Sequence, residues 1–251
     1  MIAGIIPARY ASTRFPGKPL IDILGKSMIQ RVYEEASKSK LLDKIVVATD
    51  DERILAHVES FGGNAVMTAA THPSGTDRCY DALQQLGDAY NYVINIQGDE
   101  PFIDPTQIDE LAAILSDGTV ELATQMIPVN NHEELFDRGE VKIVLNDKME
   151  ALYFSRMVIP FIKGVEEHEW HKHHRYYRHV GMYASTALCM YACRYVGMYA
   201  STALSFVYLY LIIHAMHTYI HTYIHTYTCR WGKHSHSGES SKRNSPWHCA
   251  S

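Results

Sequence analysis

Short β-branched and aliphatic runs alternate with amphipathic stretches through the first 145 residues, and this alternation constrains the fold more than any other feature. Residues 2–6 read as a buried strand. Pro7, Arg9 and Arg14 end that run too early for the apolar region of a signal peptide. Residues 28–37 fit a helix, with Ile29, Val32, Tyr33 and Ala36 at helical spacing. Residues 44–49 (KIVVAT) fit a strand buried on both faces. Asp50 and Asp51 then cap a helix to about residue 60. Gly62-Gly63 turns into a strand at 65–68, a helix fits 77–86, and YVINIQ at 92–97 is the next strand. Pro105 opens a helix to about residue 115, where proline is tolerated. Residues 121–127 and 141–145 read as further strands. The expected class is therefore α/β, a mostly parallel sheet with helices on both faces. Such sheets bind ligands at the carboxyl ends of their strands, which directs attention to the loops after Ile6, Thr68 and Gln97.

The first loop, PARYASTRFPGKPL at 7–20, carries Arg9, Arg14 and Lys18 with Ser12, Thr13 and Gly17. Guanidinium forks, an ammonium and close backbone approach suit a polyphosphate. The plainer reading is a basic surface loop; three cations at one strand end favour the anion site. No Walker A pattern is present. The second loop holds Ser74-Gly75-Thr76-Asp77-Arg78. Ser74 or Thr76 can cap the next helix, and a helix N-terminus beside an arginine also suits an anion. The third, Gln97-Gly98-Asp99-Glu100-Pro101, sets two acids at a strand end. Alone it reads as a solvated turn. Opposite a polycationic loop it suits Mg²⁺, which takes few carboxylates and fills its shell with phosphate and water. A basic loop facing an acidic one implies nucleotidyl or phosphoryl transfer, catalysed by positioning and charge neutralisation.

Composition adds a division. The chain has 251 residues, 47% of them hydrophobic, and a net charge of −5, which excludes a polybasic nucleic-acid binder and a disordered chain. Residues 185–251 hold five Lys/Arg and one acid, a charge of +4. Residues 1–184 hold 18 Lys/Arg and 27 Asp/Glu, a charge of −9. Four of the five cysteines (Cys189, Cys193, Cys229 and Cys249) also lie after residue 184.

Residues 1–184 resemble the 3-deoxy-manno-octulosonate cytidylyltransferases, the CMP-KDO synthetases of lipopolysaccharide synthesis. The resemblance rests on IIPARYASTRFPGKPL (5–20), MIQRVYE (28–34), VATDDERI (47–54), SGTDR (74–78), NIQGDEPFI (95–103), VKIVL (141–145), ALYFSR (151–156) and HVGMYA (179–184). It implies a Rossmann-like nucleotidyltransferase that makes CMP-KDO and pyrophosphate from CTP and KDO with Mg²⁺. By resemblance, Arg9, Ser12, Arg14 and Lys18 grip the CTP triphosphate. Ser74, Arg78 and Gln97 fall at nucleotide-pocket positions, and Asp99 matches the magnesium ligand. Lys18, Asp99 and Arg14 are the expected catalytic residues. Arg156, His179 and Tyr183 line the sugar side, where an arginine fork suits the KDO carboxylate. His179 is a candidate general base, and a sugar-orienting or core histidine is an equal reading. A homodimer in the cytoplasm, with no nucleic-acid or membrane partner, is also implied. The competing readings are an enzyme similar to CMP-sialic acid synthetase, disfavoured by ALYFSR and HVGMYA, and a non-catalytic CTP-binding remnant.

The resemblance ends near Ala184. Family members continue with a Glu-Gln motif and then an Asp-Thr-Pro motif that supplies a second metal ligand, and neither is present here. Low or absent activity is expected for a chain without that carboxylate. The expected organisation is a nucleotide-binding core at 1–150, the start of a sugar-binding and dimerisation subdomain at 151–184, and an aberrant tail at 185–251. VGMYASTAL at 180–188 recurs at 196–204, and 217–228 reads HTYI HTYI HTYT. The tetranucleotide repeat (CATA)n translates as His-Thr-Tyr-Ile, so the tail reads as translated repeat DNA. An apolar run at 203–213 is too short for a membrane helix. His217, His221 and His225 could share a helical face and bind Zn²⁺ or Ni²⁺, but the Thr, Tyr and Ile between them favour strand. The plain reading is a poorly folded, aggregation-prone extension.

Overall fold

The computed structural model describes residues 1–11, 15–116 and 118–195, with side chains as far as Tyr191. In chain order its elements are β1 (Ile2–Ala8), β2 (Asp22–Ile23), β3 (Lys26–Ser27), α1 (Met28–Ala36), β4 (Lys44–Thr49), α2 (Glu52–Ser60), β5 (Ala65–Met67), α3 (Gly75–Leu86) and β6 (Tyr92–Asn95). Then come α4 (Pro105–Leu115), β7 (Leu122–Pro128), α5 (His132–Phe136), β8 (Lys142–Leu145), β9 (Ala151–Ser155), α6 (Trp170–His173), β10 (Tyr177–Thr186) and α7 (Ala187–Tyr195). The apolar run at 203–213 and the histidines at 217–225 lie outside the described residues.

Period-two alternation builds the centre of the molecule. Ile5 and Ile6, Val46 and Val47, and Val93 and Ile94 are adjacent pairs whose members point to opposite faces of the sheet. One face packs on α1, α2 and α4 through Ile29, Val32, Ile54, Val58, Ile108 and Leu111. The other packs on α3 and α7 through Cys79, Ala82, Leu83 and Met190. Each fully buried isoleucine or leucine contributes about 1.5–3 kcal/mol relative to leaving it in water. Strands buried on both faces therefore read as continuous apolar runs, and parallel pairing follows: β5, β4, β1 and β6 lie side by side, all parallel.

An antiparallel extension adjoins this parallel half. β10 pairs with β6 along Tyr183–Thr186 and with β8 at Tyr177 and Arg178. Its other edge pairs with β7, with a register break between Val180 and Tyr183. β9 completes the sheet beside β8. A small cluster of Val129, Leu135, Trp170 and Tyr176 anchors the connection before β10, where the Trp170 indole N–H donates to the Val165 carbonyl at 2.9 Å. The chain stays ordered past Ala184: Ser185 and Thr186 belong to β10, and α7 buries Cys189 and Met190.

Helix starts follow their capping chemistry. Asp51, rather than Asp50, caps α2 by accepting the Arg53 backbone N–H at 3.0 Å. Ser74, rather than Thr76, caps α3 by accepting the Asp77 N–H at 3.1 Å. Asp104 caps α4, with Pro105 as its first residue.

Candidate active site

Three loops converge at the carboxyl end of β1. A Cβ added at Gly98 would lie 2.9 Å from the Pro7 carbonyl oxygen, so only glycine lets the third loop approach β1 so closely. The start of α3 reaches the same residue, since a Cβ on Gly75 would meet Pro7 Cγ at 3.5 Å. Across this junction Lys18 Nζ donates to Asp99 Oδ2 at 2.6 Å. The pair is 41% and 50% exposed, so it remains within reach of a ligand. The basic and acidic loops thus meet, 81 residues apart in sequence.

The first loop is held by its own backbone. Gly17, at φ +70°, donates its N–H to the Tyr10 carbonyl at 2.9 Å, and Lys18 then opens a short 3-10 turn. Arg9 is exposed at the start of the loop. Ser12 and Arg14 lie outside the described residues.

The second loop presents a locked arginine. Arg78 is 4% exposed; its Nη1 donates to Thr68 Oγ1 at 2.7 Å and its Nη2 to Asp50 Oδ2 at 3.0 Å. It ties together the ends of β4 and β5 and the first turn of α3. Ser74 is equally engaged: its hydroxyl caps α3 and donates to Asp77 Oδ2 at 2.5 Å.

Gln97 links the parallel half of the sheet to the antiparallel half. Its Nε2 donates to the Gly181 carbonyl at 2.5 Å, at the register break of β10. A Cβ on Gly181 would lie 3.2 Å from Gln97 Cγ, so the glycine admits the glutamine. Beyond the break, His179 packs edge-on against Phe154, with ring centres 5.3 Å apart, and against Tyr183 at 5.0 Å. His179 Nε2 lies 2.8 Å from Thr124 Oγ1, and that hydroxyl also lies 2.7 Å from the Met182 carbonyl oxygen and 3.3 Å from that of Val180. Burial pushes His179 down to about 4, so the ring is neutral at neutral pH. Burial also pushes the Tyr183 phenol upward, which keeps it protonated.

Arg156 sits at the end of β9 with Nη1 donating to the Arg138 and Gly139 carbonyls at 3.0 and 2.6 Å. The adjoining carbonyls of the same turn, Asp137 and Glu140, accept from the buried Lys142. Desolvation lowers the Lys142 ammonium. Sequence reasoning passed over Lys142 and Arg178. Arg178 Nε donates to Glu134 Oε1 at 3.1 Å, and its Nη1 lies 3.7 Å from Glu140 Oε2. Its charge also draws down Glu100, whose carboxyl is raised by desolvation and by the neighbouring Asp99. A lysine inside the apolar run KIVL was the one available sign of Lys142; Arg178 had none.

For a metal, the described residues offer Asp99 with Glu100 adjacent, and no cluster of three or more His, Cys, Asp or Glu side chains. That donor set fits a hard ion completed by phosphate oxygens and water, and does not fit an all-protein cage. Among the described residues, no helix is long and apolar enough to cross a membrane, and Cys79 and Cys189 are buried.

Comparison with known proteins agrees with this arrangement. A cytidylyltransferase family model matches residues 3–210. The 3-deoxy-manno-octulosonate cytidylyltransferase of Parabacteroides distasonis is 51% identical over 188 residues, covering 73% of this chain and 74% of the relative. The 8-amino-3,8-dideoxy-manno-octulosonate cytidylyltransferase of Shewanella amazonensis is 51% identical over 185 residues, covering 72% and 73%. A solved CMP:2-keto-3-deoxy-manno-octonic acid synthetase complexed with CTP superposes with a TM-score of 0.72 at 36% identity, over 84% of this chain and 82% of that one. With its basic and acidic loops joined on a Rossmann-like sheet, the chain belongs to the cytidylyltransferase family, as a relative of the 3-deoxy-manno-octulosonate cytidylyltransferases.

Proposed function

We propose that this chain transfers CMP from CTP to the anomeric hydroxyl of KDO. The observation that carries the reading is the 2.6 Å contact of Lys18 with Asp99, which joins the two loops a triphosphate requires. The hydroxyl oxygen bonds to the α-phosphorus, the bridge to the β-phosphate breaks, pyrophosphate leaves, and the hydroxyl proton passes to solvent. Arg9, Arg14 and Lys18 offset the triphosphate charge, and Lys18 turns from Asp99 to phosphate oxygen. Asp99 would hold Mg²⁺, which when bound neutralises phosphate charge and acidifies the attacking hydroxyl. Arg78 fixes the ends of β4 and β5 against α3, and Gln97 fixes the junction with the sugar side. Arg156 supplies a fork for the KDO carboxylate, beside neutral His179 and Tyr183. The protein works in the cytoplasm as a homodimer, as the family resemblance implies.

Relatives named for two eight-carbon acid sugars match this chain at the same 51% identity, so the 8-amino sugar is the second substrate to compare. Initial rates of pyrophosphate release from CTP, with Mg²⁺ and either KDO, its 8-amino analogue or sialic acid, test the choice. KDO is expected to give the highest rate. A higher rate with sialic acid would overturn the assignment.

A further inference from the structure

We propose that Arg53, a surface residue of α2, is a positioning residue for the phosphate loop and acts on it through Tyr10. The proposal rests on reading residues 9–18 as the triphosphate loop.

The Gly17 N–H to Tyr10 carbonyl bond pinches that loop shut at 2.9 Å. Arg9 is the residue before the pinch and Lys18 the residue after it, so the pinch sets the spacing of the two cations. The Tyr10 ring lies against it. A Cβ at Gly17 would come within 3.1–3.2 Å of Tyr10 Cε2, Cζ and Oη. The Arg53 guanidinium stacks on this ring, with Cζ 3.4 Å from the ring centre. The fork is itself fixed: Nε donates to Asp51 Oδ1 at 2.9 Å and Nη2 to Asp51 Oδ2 at 2.7 Å. Asp51 is in turn fixed as the cap of α2. A continuous series of contacts therefore runs from the helix cap to the fork, the ring and the pinch. Asp51 offsets the Arg53 charge, so Arg53 acts on the loop by orienting Tyr10. A planar, bidentate group suits that task because its stacking geometry is set in advance.

The test is CTP affinity measured by calorimetry on the full chain, with far-UV circular dichroism confirming each fold. Arg53→Met is expected to weaken CTP binding about threefold to fivefold. Arg53→Lys, which keeps a cation over the ring, should recover part of that loss, and KDO affinity should not change. Tyr10→Phe should bind as the unaltered chain does. In a Tyr10→Leu background, Arg53→Met should have no further effect. Should Tyr10→Leu not fold, Asp51→Asn supplies the second test: it keeps the cap, releases the fork and should also weaken CTP binding. Unchanged CTP affinity in Arg53→Met overturns the proposal, as does an equal loss in the Tyr10→Leu background, which marks a direct charge effect. If the unaltered chain binds no CTP, the reading of the loop fails first and the proposal with it.

Discussion

Lys18 and Asp99 satisfy each other at 2.6 Å, yet both keep enough exposure to exchange that contact for ligand. An ion pair of this kind adds only about 0–1 kcal/mol to folding. Asp99→Asn should therefore leave the urea midpoint almost unchanged. It should lower Mg²⁺-dependent turnover by about a hundredfold or more, because a lost metal carboxylate is worth several kcal/mol. Initial rates beside a denaturation curve check both halves of this expectation. His179 makes a prediction of a different kind. Its folded value of about 4 lies below the ordinary 6.5, so between these values the unfolded chain takes up a proton that the folded chain refuses. Its contribution to stability is complete above about pH 6.5 and is lost as the pH falls toward 4. Urea midpoints at pH 7.5 and 5.0 should converge in His179→Gln relative to the unaltered chain. An equal drop in both proteins would contradict the burial of this ring.

At the scale of elements, α3 is fastened by two interactions of unequal strength. Ser74→Ala removes the cap and should cost about 1 kcal/mol. Arg78→Met leaves Asp50 without its buried partner and should cost about 3 kcal/mol. Urea titrations that reversed this order would show that Arg78 is not the tie between β4, β5 and α3. The parallel half of the sheet was legible in sequence because strands buried on both faces must be continuously apolar, as in KIVVAT and YVINIQ. β10 escaped because YRHVGMYAST carries arginine, histidine and a glycine-centred register break, so neither a continuous apolar run nor an alternation survives. The same contrast holds at the site. Lys18 and Asp99 stood out by residue type in the loops that follow strands, and Gln97 only by resemblance. Arg178 acquires its role only when Glu134, Glu140 and Glu100 arrive from separate segments, and no local pattern encodes that meeting. The open question between Ser74 and Thr76 needed backbone geometry for the same reason.

For the whole molecule, the motifs legible in sequence end at residue 184, whereas the family model matches to residue 210 and the described elements continue through α7. α7 lies on α3, its Met190 sharing a cluster with Cys79, Ala82 and Leu83, and Tyr191 stands 5.7 Å from Tyr80. A chain cut after residue 184 loses this cover and the last two residues of β10. It should be less stable than one cut after residue 195 by at least the roughly 1.5–3 kcal/mol of one buried methionine. Equal urea midpoints for the two would contradict the role of α7. The central claim concerns the assembled site: two loops joined by Lys18 and Asp99 activate an acid sugar with CTP. Its most direct measurement is phosphorus NMR of CTP and Mg²⁺ incubated with the full chain, with and without KDO. The account predicts slow conversion of CTP to a phosphodiester and pyrophosphate only when KDO is present. Conversion at the same rate without KDO, or a CTP spectrum that the chain neither shifts nor converts, would contradict it.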